Sequence, residues 1–235
     1  MPQRKPRRSA HPGLAPDVIV RSGLDLLDRV GFDELTIRRL AAMLGVQNPA
    51  LYWHFKNKQE LLDRMAQALL ASGFAPSDAL PEPDSWEERL LRIARGFRRA
   101  MMSRREGARL VASADLSQGN ELLGRLDRAA AALVTEGFPG PEALGAILTL
   151  VHYTMGASFE EQMDPRKEGP KLSKTRARQL PALAAILAEM DEVTPAPGEA
   201  GFELGLRLIL DGIRTRRASG YLRPNGPSRA AWTFT

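Results

Sequence analysis

Apolar residues recur at helical spacing along most of the chain, and no stretch alternates with the two-residue period of a strand. Ile19, Gly23, Leu26 and Val30, with Val20, Leu24 and Leu27 beside them, form a stripe that Gly31 ends, and Pro16 suits the first turn of that helix. Ile37, Leu40, Ala41 and Leu44 repeat the stripe behind Thr36, a good N-cap, and Gly45 stops it. Asn48-Pro49 then reads as a cap followed by a first-turn proline, opening a short helix that runs to about Phe55. Two short helices joined by a glycine-containing turn are a helix-turn-helix arrangement. Asn57 with Glu60 three residues on resembles a capping box, starting a fourth helix with Leu61, Leu62, Met65 and Leu69 inward and Gly73 as its end. Further helices are predicted over 85–103, 106–114, 120–136, 141–162, 178–193 and 198–218. The expected fold class is all-α.

Polar and proline-rich stretches divide this pattern. Residues 1–14, with three prolines and a glycine among charges, predict a flexible basic arm, and 219–235 a disordered tail. Pro76, Pro81 and Pro83 mark 75–85 as a connection, giving a helix-turn-helix unit over 15–73 and a larger helical unit over 84–218. Pro165, Gly169 and Pro170 predict a long mobile loop over 163–175.

Composition narrows the chemistry. The 235 residues include no Cys, which excludes disulfides, thiolate metal sites and cysteine nucleophiles. No apolar run is long enough to cross a bilayer, and the basic start leads into no signal-peptide core, so the expectation is a cytoplasmic protein with no membrane partner. Eleven basic against seven acidic side chains through Arg64 leave +4 of the net +5 in that part. A polyanionic partner there is one reading and a solvated basic tail is the other, since Arg4, Lys5, Arg7 and Arg8 alone carry +4.

The stretch from Leu35 to Lys58, LTIRRLAAMLGVQNPALYWHFKNK, resembles the helix-turn-helix of the tetracycline-repressor (TetR) family of transcription regulators. Leu51-Tyr52-Trp53-His54 followed by Lys56-Asn57-Lys58 points to the tetracycline-binding branch, and Phe97-Arg98, Arg104 to Ala108 and Gly156 to Gln162 continue the likeness. A recognition helix must offer its first turn to base edges while its neighbours grip phosphates. Arg38 suits guanine O6 and N7, Asn48 suits adenine N6 and N7, and Pro49 and Ala50 suit a thymine methyl. The resemblance places Tyr52, Trp53, His54 and Lys58 near DNA, with Thr36 and Lys56 joining them. Aromatic packing under the fourth helix is the other reading of Tyr52 and Trp53, and a half-buried, hydrogen-bonded histidine the other reading of His54. Asn48 and Ile37 depart from the branch's Gln and Thr, so its operator sequence does not carry over.

The same resemblance implies a homodimer, built by the 141–162 helix and the last long helix as a four-helix bundle, and a small-molecule pocket in each subunit. Val111 stands where the branch has its metal-ligating His, Ala114 replaces a nearby Thr, Phe74 a drug-binding His and Ile93 a drug-binding Asn, while Phe97 and Glu160 are kept. Val and Ala have no lone pair for Mg²⁺, so a largely apolar inducer with no metal and no cofactor is expected. The candidate lining is Phe74, Ile93, Phe97, Val111, Ala114, Leu126, Ala129, Ile147, Val151 and Ala184, each of which also reads as ordinary core. Operator double-stranded DNA, the inducer and a second copy are the expected partners of a repressor. A DNA-binding regulator without effector is an alternative. A helical enzyme using His152, Glu160 and Glu161 is another, but no nucleophile elbow, P-loop, dinucleotide glycine pattern or His-Glu-x-x-His supports catalysis.

Overall fold

The stripe beginning at Ile19 is realised as α1 (Pro16–Val30), which buries Ile19, Val20, Gly23, Leu24, Leu26 and Leu27 on one face. This computed structural model describes residues 14–78, 80–118, 120–163, 172–193 and 198–218. Residues 1–13 and 219–235, on which the arm and the tail fall, lie outside the described residues, as does 164–171 of the predicted loop. Among the described residues the regular structure is entirely helical.

Thr36 caps α2 (Ile37–Met43) by accepting a 3.2 Å hydrogen bond from the Arg39 amide. The turn that follows holds Gly45 at φ 65°, a left-handed conformation that favours glycine. α3 spans Asn48–Tyr52, shorter than the pattern predicts. Its N-cap is Gln47 rather than Asn48, and no side chain caps it. Asn57 caps α4 (Lys58–Asp78), its Oδ1 accepting from the Glu60 amide at 2.8 Å, while Glu60 accepts from the Lys56 amide at 2.7 Å, one residue before the cap rather than at the cap itself.

α4 does not end at Gly73 but continues to Asp78. The missing side chain serves packing instead, because a Cβ at Gly73 would lie 2.4 Å from Ala100 Cβ and 2.6 Å from Ala100 Cα and N. Ala100 belongs to α5 (Trp86–Met102), capped by Ser85, and α4 packs more extensively on α5 than any other pair of helices does. Beyond it come α6 (Gly107–Ser113), a 3-10 turn at Leu116–Gln118, α7 (Asn120–Thr135) and α8 (Gly140–Met163).

The helix predicted over 178–193 is two helices, α9 (Lys174–Gln179) and α10 (Pro181–Val193). Pro181 lacks an amide hydrogen and its ring pushes Leu180 out of the helical region, to φ −128° and ψ 62°. α9 thus begins within the stretch predicted as loop, at Lys174, and α11 (Glu199–Ala218) follows.

Two apolar cores meet at α5. One joins α1–α4 to Phe97, Ala100 and Met101 of α5 and to Ala108, Leu110 and Val111 of α6. The other gathers Trp86, Leu90 and Ile93 with Leu133, Ile147, Leu150, Phe202 and Leu206 from α7, α8 and α11. In it Trp86 meets Phe138 edge to face, ring centroids 5.3 Å apart. Each fully buried Leu or Ile contributes about 1.5–3 kcal/mol of transfer free energy. Leu126 and Val151 pack against both cores, so α7 and α8 touch the boundary between them. On the outside, α8 exposes Leu144, Leu148, Phe159 and Met163, and α11 exposes Leu204 and Leu208.

Candidate DNA interface and effector region

The sequence of α2, turn and α3 leaves its polar and aromatic positions facing water. Thr36, Arg38, Asn48, Pro49 and Lys58 are exposed, and Ala50 and His54 are half-buried. Tyr52 is 53% exposed and Trp53 87%, so neither ring is buried under α4, and Leu51 and Phe55 supply the inward packing of this segment instead. Asn48 makes no side-chain hydrogen bond and Arg38 no ion pair among the described residues, whereas neighbouring Arg39 is paired with Glu34. Lys58 Nζ lies 5.8 Å from the centroid of the Phe32 ring, at the junction with α1. The surface therefore combines a fork donor, a free amide and two aromatic rings, the types that contact base edges and backbone.

A polar seam ties this unit to the rest. At the α5–α6 corner, Arg104 Nη1 reaches Asp25 Oδ1 at 3.1 Å and Asp28 Oδ2 at 2.6 Å, and the Arg105 amide donates to Asp28 Oδ1 at 2.9 Å. Glu106, in a left-handed conformation with φ 51°, accepts from the Phe32 amide at 3.1 Å. Arg109 holds Asp33 in a two-point pair at 2.6 and 3.0 Å and lies over the Phe32 ring, 4.7 Å from its centroid. The hydrogen bond from Arg109 holds the Asp33 carboxyl below the usual carboxylate range, and the Asp28 carboxylate raises the Arg104 guanidinium.

The other end of α6 is held by α4: Gln59 Nε2 donates to Ser113 O at 2.8 Å, and the Asp115 amide donates to Asp63 Oδ1 at 2.9 Å. From behind, Gln162 of α8 donates to Met101 O at 2.8 Å and Arg104 O at 2.9 Å, and accepts from the Ala108 amide at 2.9 Å. Sequence reasoning assigns this seam no role. Its signals there are the polar run Arg104-Arg105-Glu106 interrupting apolar periodicity and the family likeness of Arg104 to Ala108 and Gly156 to Gln162, neither of which names the partners.

Of the candidate effector-lining side chains, Phe74, Phe97, Val111 and Ala129 are 1% exposed, and Ile93 and Ile147 are also buried. Ala114, Leu126 and Val151 are partly buried against the first core. Nine of the ten thus gather around α5, whereas Ala184 sits on α10, whose extensive packing is against α9. The Phe74 ring rests on Gly96, where a Cβ would meet it at 2.4 Å, and the Arg125 guanidinium stacks 4.3 Å from the ring centroid. Among the described residues no cluster of three His, Asp or Glu is placed to hold a metal. The Val111 and Ala114 side chains carry no oxygen or nitrogen that could ligate a hard cation.

His152, Glu160 and Glu161 share a cavity of about 420 Å³ between α8 and α11, with Tyr153 and Phe202. Glu161 is engaged by the buried Arg98 at 2.7 Å, and the Tyr153 ring stacks on Phe202 with its hydroxyl donating to Phe202 O at 3.1 Å. These contacts join α5, α8 and α11.

Comparison with known proteins agrees with this architecture. The family described as "Bacterial regulatory proteins, tetR family" matches residues 19–65, and "Tetracyclin repressor-like, C-terminal domain" matches residues 79–217. The class A tetracycline repressor protein from transposon 1721 of Escherichia coli is 40% identical over 205 residues, covering 87% of this chain and 92% of that protein. A possible TetR family transcriptional regulator from Streptomyces coelicolor A3(2) superimposes with a TM-score of 0.71 at 35% identity, over 86% of this chain and 99% of that one. A single-residue variant of TetR from Acinetobacter baumannii AYE, solved in complex with minocycline, gives a TM-score of 0.70 at 33% identity, over 93% of this chain and 99% of that one. With its helix-turn-helix at the N-terminal side and a helical C-terminal domain of the tetracycline-repressor kind, the chain belongs to the tetR family of bacterial regulatory proteins.

Proposed function

We propose that this protein is a ligand-responsive repressor that binds a palindromic operator as a homodimer in the cytoplasm and is released by a small-molecule inducer other than magnesium–tetracycline. The observation that carries the reading is the outward, unpaired presentation of Arg38, Asn48, Tyr52 and Trp53 on a unit tied to the C-terminal helices through the α5–α6 seam. Residues 15–73 read DNA and 84–218 dimerise and sense. Arg38 and Asn48 contact base edges, Pro49 and Ala50 a thymine methyl, and Thr36, Tyr52, Trp53, His54 and Lys58 the backbone or its flank.

The exposed apolar faces of α8 and α11 support pairing with a second copy, which sets two recognition helices about 35 Å apart, one turn of DNA. An inducer held among Phe74, Ile93, Phe97 and Val111 favours a dimer in which that spacing is lost, because the seam carries a change in α6 to both α1 and α4. A coupling of about 1–3 kcal/mol lowers operator affinity roughly 5- to 150-fold. Selection of bound sequences from a random duplex pool at fixed salt tests the reading. A palindrome whose same position relaxes in both half-sites with Arg38→Ala is the expected result. Binding that is independent of sequence and fades with salt refutes it.

A further inference from the structure

Arg89 and Arg92 lie one turn apart on α5, and Arg125 and Arg128 one turn apart on α7; all four line a single cavity of about 110 Å³. Glu82 is the acid of that lining and Ile93 contributes an apolar wall. Glu82 answers Arg89 and Glu88 answers Arg92, while Arg128 has no carboxylate beside it among the described residues, so the described lining keeps an excess of positive charge that an anion between the guanidinium groups relieves.

Arg89 and Arg92 are fixed by the segment that precedes α5 and by Glu88. Arg89 is held by Glu82 at 2.6 Å and by Pro83 O at 3.4 Å, while its Nε is buried without a hydrogen-bond partner. Arg92 is held by Glu88 at 3.2 Å and by Pro81 O. Arg125 lies flat over Phe74, and Arg128 is exposed and makes no hydrogen bond or ion pair among the described residues. Guanidinium forks in such positions match the paired oxygens of a carboxylate, sulfonate or phosphate. The cavity is far smaller than the roughly 300–1,000 Å³ that encloses a whole drug-sized molecule, so it suits a head group. Ile93 makes its apolar wall with Leu80 and Pro83, and Arg125 joins it to Phe74; Ile93 and Phe74 are two of the positions assigned above to the inducer.

We infer that this cavity binds the anionic head group of the effector, which is therefore an amphipathic organic anion with its apolar part directed toward α5. The inference rests on the effector reading above for the ligand's role, not for the site itself. DNA is not its ligand, because the cavity is bounded by α5, α7 and the 80–83 segment, none of which belongs to the helix-turn-helix.

The test uses the full-length protein, with naphthalene-1-sulfonate and the uncharged naphthalene-1-sulfonamide as probes, by calorimetry at low salt. The sulfonate binds one per chain and the sulfonamide about tenfold or more weakly. Arg128→Gln, at an exposed position, and Arg89→Gln each weaken the sulfonate about tenfold without changing the sulfonamide. Equal binding of the two probes, indifference to both substitutions, or no sulfonate binding at millimolar concentration overturns the proposal. So does a loss of affinity for random duplex in Arg128→Gln, which assigns the guanidinium to DNA phosphates. Arginine-dependent sulfonate binding that leaves operator affinity unchanged keeps the anion site and removes its effector role. Failure of the operator selection removes the regulator reading and leaves the calorimetric result standing.

Discussion

Gln162→Ala removes three hydrogen bonds at once where α8 meets the α5–α6 corner. The amide nitrogen serves two carbonyls, of Met101 and Arg104, and the amide oxygen takes the Ala108 N–H. Each bond of this kind contributes about 0.5–1.5 kcal/mol net, so the three together are worth about 1.5–4.5 kcal/mol. In a chain of this length each kcal/mol moves the midpoint of thermal unfolding by about 2–4 °C, so the variant melts roughly 3–18 °C below the parent. Unfolding is followed by circular dichroism at matched protein concentration, because the midpoint of any chain that associates depends on concentration. Gln162→Glu supplies the sharper comparison. An ionised glutamate can still accept from Ala108 N but turns an acceptor toward two carbonyl oxygens, so it is less stable than the alanine variant near neutral pH. If the alanine variant unfolds within about 0.5 kcal/mol of the parent, or the glutamate variant matches it, Gln162 is not the tie described here.

Other substitutions separate binding from packing. Trp53→Ala leaves urea unfolding within about 0.5 kcal/mol of the parent while weakening binding to the selected operator; a clear loss of stability instead assigns the ring to packing. Gly73→Ala destabilises by about 1–3 kcal/mol despite alanine's better helix propensity, because its Cβ meets the Ala100 backbone rather than a side-chain end that can swing away; a stabilised variant in urea titration refutes this. Asp33, held below its ordinary value of 3.8 by Arg109, stabilises the fold above that unfolded value and loses the contribution as pH falls through the lower folded value. Asp33→Asn therefore unfolds more easily than the parent at neutral pH, and urea midpoints of the two converge on acidification. A gap that stays constant into acid refutes the pairing.

Local rules made the first four helices legible because their starts are written in short-range chemistry: Thr36 and Asn57 accept the amide bonds their residue types predict. The same rules mislead where one residue type serves two purposes. Gly73 reads as a helix stop, yet what requires it is an approach of α5 whose partner residue is 27 positions away, and no local pattern reports that. Asn48 reads as a cap, but Gln47 takes the position and the Asn48 side chain is left unbonded. Pro181 sits inside a strongly periodic stretch, where its effect on Leu180 outweighs the periodicity. The candidate DNA surface followed from a contiguous motif. The seam did not, because Asp25, Asp28 and Asp33 acquire meaning only when Arg104 and Arg109, more than seventy residues on, are brought against them.

The polar ties between the two halves use the side chains of Asp25, Asp28, Asp33, Gln59, Asp63, Arg104, Glu106 and Arg109, and none of these is among the apolar side chains packed around Phe74 and Phe97. On the function proposed above, what the protein recognises and how recognition is transmitted are thus written in separate residues. Val111, Ala114 or Ile93 can be exchanged for other side chains without cutting a single bond of the seam. On that reading one scaffold can be retuned to a new chemical signal while its output stage stays intact, and a graft of the C-terminal half onto a related N-terminal half must match both the polar seam and the apolar packing of α4 on α5.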